Sequence, residues 1–125
     1  MRPEDEKRVK ENRNREKLKL GQVIDHMSKS ARLVILAPGG YVRFRGYVGN
    51  FKDRWVSREE EVDIIKQQME TYRKEDGLWD WKRIEALPPQ VPFKDIPEYG
   101  PGELEHVIYT EVRLKPSFEQ MLEYA

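Results

Sequence analysis

Residues 32–51, RLVILAPGGYVRFRGYVGNF, limit the fold more than any other part of the chain. An apolar, β-rich run at 32–37 leads into Pro38-Gly39-Gly40, a turn signal, and the chain then alternates. Tyr41, Arg43, Arg45, Tyr47 and Phe51 fall on one side, and Val42, Phe44 and Val48 on the other. Period-two alternation marks a strand with one face against a core. The segment therefore predicts a β-hairpin over residues 32–49.

The flanking sequence predicts what packs on it. Leu20, Val23, Ile24 and Met27 recur at helical spacing, so a short amphipathic helix is expected over 18–28, with Gly21 working against it. Ser57-Arg58-Glu59-Glu60 has the form of a capping box. Val62, Ile65, Met69 and Tyr72 follow at spacings of three, four and three, with Ile64 widening the stripe. That pattern predicts a helix over 58–75, stopped by Asp76-Gly77. In residues 78–87, Trp79, Trp81 and Arg83 alternate with Leu78, Asp80, Lys82 and Ile84, which favours a strand carrying both tryptophans on one face.

Residues 88–102 hold five prolines and read as an irregular loop, long enough to suggest a role beyond connection. A last strand is expected over 104–114, with Leu104, Ile108, Val112 and Leu114 towards the core and Glu105, Tyr109 and Arg113 outward. Pro116 ends it, and Ser117 with Glu119 suits the start of a short helix over 117–124. The expected fold class is α+β: a small, mostly antiparallel sheet, helix 58–75 on one face, and a charged N-terminal helix. Residues 1–19 form the charged extension and 20–125 a single domain.

Charge matters here for its placement. The net charge is zero, so no global field draws the chain to DNA or anionic lipid. Yet residues 1–54 hold 14 Lys and Arg against 7 Asp and Glu, while residues 55–125 hold 9 against 16. A basic half and an acidic half suit contacts with different partners. Charged residues make up 37% of the chain, which implies a thin core under a heavily charged surface.

Several chemistries are excluded or unsupported. With no cysteine there is no disulfide framework, zinc ribbon or thiol nucleophile. No apolar run approaches a membrane span, and the charged N-terminus does not read as a secretory signal, so a cytoplasmic location is expected. His26 and His106 lie on separate elements, and neither HExxH nor GxSxG occurs. Pro38-Gly39-Gly40 lacks the Lys and Ser/Thr of a phosphate-binding loop. Arg45-Gly46-Tyr47 opens like the base-stacking signature of RNA-recognition folds, but Val48 and Gly49 stand where a small residue and an aromatic belong. Neither a catalytic residue nor a metal or cofactor is expected.

Candidate partner-binding residues come in three groups. Arg43, Arg45 and Tyr47 form a basic–aromatic stripe of the kind used by protein hot spots and single-strand grooves. Glu59, Glu60, Glu61, Asp63 and Glu70 would line the acidic helix, where their carboxylates stand in for phosphates. Trp79 is a candidate anchor.

The segments QVIDHM (22–27), RLVIL (32–36), FRGYVGN (44–50) and ELEHVIYTEVRL (103–114) together resemble small uncharacterised proteins of Firmicutes phages and mobile elements. That resemblance implies a bacterial host cell and an accessory protein that blocks a defence machine. The expected function is a non-enzymatic, anti-CRISPR-type inhibitor that binds a bacterial protein or nucleoprotein complex, such as a CRISPR nuclease. The alternative is a nucleic-acid-binding accessory protein using Arg43, Arg45 and the basic N-terminal half. A third reading, an enzyme with dispersed carboxylates and a divalent metal, would show a metal-dependent gain in stability.

Overall fold

A computed structural model describes residues 18–116. Helix α1 (Leu20–Asp25) is followed by strands β1 (Arg32–Leu36), β2 (Val42–Tyr47), β3 (Val62–Arg73) and β4 (Leu104–Leu114). Short 3-10 turns lie in the connections, at Lys74–Asp76, Ile84–Ala86 and Phe93–Glu98 among others. The strands form one mixed sheet in the order β2-β1-β4-β3. β1 pairs antiparallel with β2 and parallel with β4, while β3 pairs antiparallel with β4. The expected extension helix over residues 1–19 and helix over 117–124 fall almost wholly outside the described residues.

The hairpin forms where it is expected, but the alternation holds only in part: the register shifts between Ile35 and Leu36, Val42 is exposed, and Phe51 packs against Phe44 instead of lying with Arg43 and Arg45. Arg32 pairs with Tyr47 and Val34 with Arg45, so Phe44, Gly46 and Val48 turn to one core. Gly40, with φ of 89°, sits in the turn where a side chain would be strained. Helix α1 is shorter than expected and starts on Lys19, whose N–H donates to Gln22 Oε1 at 2.9 Å. Gly21 has a packing reason: a Cβ there would meet the Arg58 Cβ at 3.0 Å.

The expected helix over 58–75 is instead a turn followed by the 12-residue strand β3. Ser57 closes a tight turn: its Oγ accepts from the Glu59 N–H at 3.1 Å, and its carbonyl from Glu60 N–H at 3.2 Å. Val62, Ile64, Ile65, Thr71 and Tyr72 are β-branched or aromatic, and their pairing with β4 outweighs the helical spacing of the apolar stripe. A bulge at Asp63 shifts the register between Val62 and Ile64.

Residues 78–87 are not a strand either. They fold into turns that bury Trp81 and leave Trp79 exposed, so the two tryptophans do not share a face. In β4, Val107, Thr110, Val112 and Leu114 are buried while Ile108 is exposed. Ile108 lies on the side of Val112 and Leu114, beyond the area covered by α1.

Both sheet faces carry a core. On one, Leu20 and Ile24 of α1 pack with Leu33, Ile35, Phe44, Val48, Val56, Val62, Val112 and Leu114. On the other, Val34, Leu36, Tyr72 and Val107 are roofed by Trp81 from the β3–β4 connection. Fully burying one such aliphatic or aromatic side chain is worth about 1.5–3 kcal/mol. Two thin cores of this kind fit a chain so rich in charge.

Candidate functional site

The second core is built around a charge. Glu70 on β3 and Arg45 on β2 belong to opposite edges of the sheet and meet over its face, Nη2 to Oε1 at 2.7 Å. Their side chains are only 10% and 8% exposed. Glu70 Oε1 also accepts from Trp81 Nε1 at 2.7 Å and from the Tyr72 hydroxyl at 3.0 Å. Its Oε2 faces Arg45 Nη1 and Gln90 Nε2, each at 3.4 Å. Arg45 is fixed in turn: Nε donates to the Trp81 carbonyl at 2.7 Å, and its guanidinium lies 4.0 Å from the centre of the Trp81 ring.

Burial alone pushes the Glu70 carboxyl up. Hydrogen bonds from Arg45 and Trp81, the Arg45 charge and the Tyr72 hydroxyl outweigh it and hold Glu70 below the usual carboxylate range. Burial and then the Glu70 charge push the Tyr72 phenol well above its ordinary value. Glu70 is thus an ionised carboxylate surrounded by donors, and it acts as a clasp. It holds Trp81 and Gln90, while Val91 N–H donates to the Thr71 carbonyl at 2.8 Å.

The clasp determines what the β3–β4 connection presents. Two residues before buried Trp81 stands Trp79, 87% exposed; two residues after buried Val91 stands Phe93, 86% exposed. Ordinary surface residues of this size do not need such support. A large apolar side chain held outward by a fixed loop is how interface anchors are presented.

A second cluster surrounds Tyr47. The Arg32 guanidinium lies 5.6 Å from its ring centre and the Lys82 ammonium 5.1 Å. Neither cation forms an ion pair among the described residues, and Arg32 Nε is buried without a hydrogen-bond partner.

The remaining candidates are dispersed. Arg43 donates to the Trp55 carbonyl at 3.3 Å, and Arg45 is enclosed by Glu70 and Trp81. Glu59 pairs with Lys19, Glu60 is half-buried, and Glu61 and Asp63 are exposed beside the start of β3. With β3 a strand and Glu70 buried, the five acids do not form the single helical face that phosphate mimicry would use. Among the described residues, no three His, Asp or Glu side chains are grouped to hold a metal ion. His26 Nδ1 bonds the Gln22 carbonyl at 2.7 Å, and His106 Nδ1 bonds Thr71 Oγ1 at 3.0 Å. No helix among those residues is long and apolar enough to cross a membrane.

Sequence reasoning missed Arg32, Tyr72, Trp81, Lys82 and Gln90 as parts of these clusters. Only Arg32 carried a local signal, since a hairpin turning at Pro38-Gly39-Gly40 puts it opposite Tyr47. Comparison with known proteins gave no match, whether to a protein-family model, a curated protein or a solved structure.

Proposed function

We propose that this chain is a non-enzymatic binding protein that meets another protein through the β3–β4 connection. The observation that carries the reading is the pair of outward aromatics, Trp79 and Phe93, each two residues from a buried anchor of the same clasp. Exposed aromatics on a pinned loop bind with little ordering cost, because the loop is arranged before the partner arrives. The partner class follows from the sequence resemblance: a defence nuclease of a bacterial host, bound and blocked in the cytoplasm.

The test measures DNA cleavage by purified CRISPR nucleases with and without the protein. Inhibition that falls at least about tenfold in Trp79→Ala and Phe93→Ala supports the reading, tenfold being about 1.4 kcal/mol of interface energy. Both variants should keep their unfolding midpoints, since neither side chain is buried. Unchanged inhibition in both variants, or none by the parent protein, overturns it.

A second reading has its own observation. Arg32 and Lys82 over Tyr47 offer two cations without carboxylate partners among the described residues, beside an aromatic ring, which suits a nucleic-acid backbone and base. It is distinguished by a mobility shift at low salt that is lost in an Arg32→Ala/Lys82→Ala variant.

A further inference from the structure

Among the described residues, the outer edge of β3 is covered at both ends and open between them. At its start, Val62 N–H donates to the Leu18 carbonyl at 2.8 Å and Leu20 N–H to the Glu60 carbonyl at 2.8 Å. At its end, Val91 N–H donates to the Thr71 carbonyl, and Gln90 bridges Tyr72. Strand alternation, with the bulge at Asp63, then turns the backbone N–H and C=O of Ile65, Gln67 and Met69 outward. Among the described residues, none of these groups has a backbone partner beyond the sheet. The open stretch covers residues 63–70, about 26 Å at ~3.3 Å per residue.

The side chains along this edge are selective. Ile65 and Met69 are 44% and 49% exposed and share a face with Ile108, 61% exposed. At the far end a shallow depression of about 400 Å³ is lined by Met69, Val91, Pro92, Phe93 and Ile96. On the opposite face, exposed Lys66 has no ion-pair partner among the described residues.

We infer that this edge takes an extended segment of the partner protein as a fifth strand. The segment is about six residues long, with apolar side chains facing Ile65 and Met69 and an acidic one opposite Lys66. Two added segments already use the same edge, so a third continues an arrangement the fold contains. A second copy of this chain does not fit. Its own β3, laid antiparallel here, would run into the bracketing segments at 18–20 and 90–91. The inference deepens the proposed binding function by naming the partner's chemistry, and it can fail separately, because Trp79 takes no part in it.

The probe is a labelled, capped eight-residue peptide alternating valine with glutamate or threonine, set against a scrambled peptide of the same composition. Hydrogen exchange on the full chain should show Ile65, Gln67 and Met69 amides exchanging fast when free. They should slow by about tenfold or more with the peptide, as amides do when they enter a ladder. Gln67→Pro removes one outward N–H that the fold leaves unused, and should weaken binding about tenfold. Met69→Glu keeps every backbone donor and should weaken it by a similar factor, so a misfolded proline variant does not decide the matter.

Three results would overturn the inference. One is amides already protected in the dilute free chain, which puts its own segment on the edge. Another is protection that rises with protein concentration, which puts a second copy there. The third is equal binding of the ordered and scrambled peptides, or none. Loss of peptide binding with Trp79-dependent inhibition intact would remove this inference alone.

Discussion

Replacing Glu70 with glutamine keeps its volume, removes its charge, and shows how much the clasp contributes. The Arg45 guanidinium, with its side chain 8% exposed, would keep a positive charge with no counter-charge. The amide oxygen can still receive Trp81 Nε1 and Arg45 Nη2, but its NH2 group then faces Arg45 Nη1 and Gln90 Nε2, both donors. An exposed ion pair would account for about 0–1 kcal/mol, and one neutral hydrogen bond for about 1. Breaking one side of a buried pair costs about 3–5 kcal/mol, and that figure applies here. Against a total stability of about 5–15 kcal/mol, this is a large share.

The assay is urea unfolding at pH 7, read by fluorescence of the tryptophans. A double-mutant cycle with Arg45→Met and Glu70→Met should give a coupling above about 1.5 kcal/mol, because the doubly apolar pair leaves no stranded charge. The pH dependence has a definite sign. Glu70 holds its proton less tightly when folded than unfolded, so its contribution is complete above the ordinary carboxylate pKa of about 4.3. It disappears as pH falls through the lower folded value. The gap between the parent and Glu70→Gln should therefore be flat near neutrality and close in acid. A loss below about 1 kcal/mol for Glu70→Gln would refute the reasoning, since a surface pair accounts for that much. So would a gap that persists once the carboxyl is protonated.

Two further substitutions test the packing. Leu33→Ala empties a fully buried position between α1 and the sheet and should cost about 2–5 kcal/mol by the same measurement. Gly21→Ala would raise stability by up to about 1 kcal/mol if helix propensity decided it. With the new Cβ 3.0 Å from Arg58 Cβ and Nε, it should instead lower stability by about 1–3 kcal/mol.

What the sequence revealed depended on how far each element's determinants lie along the chain. The hairpin was legible because its alternation and its turn sit within twenty residues. The strand over 104–114 was legible for similar reasons, although the exposure of Ile108 was not, since it depends on where α1 stops. β3 was misread because Val62, Ile65, Met69 and Tyr72 satisfy a helical stripe, while its partner β4 begins only at Leu104. The β-branched residues at 62, 64, 65 and 71 were the available counter-signal. Arg45 and Glu70 were both singled out, but for two different surfaces. Nothing local joins residues 25 apart on opposite edge strands, and they meet only once all four strands are assembled.

That pairing also sets the length of the open edge. Met69 and Thr71 turn their backbones outward on either side of Glu70, and Thr71 is where Val91 ends the exposed stretch. Val91 stays there because Gln90 beside it and Trp81 before it are held by the Glu70 carboxylate. A long exposed edge invites aggregation, and here the buried charge shortens the edge by keeping a strap over Thr71 and Tyr72 near the end of β3. The same charge holds Trp79 and Phe93 outward. Stability, the limit on the edge and the presentation of the aromatics thus have one physical origin, a carboxylate whose burial is favourable only while five donors stay around it.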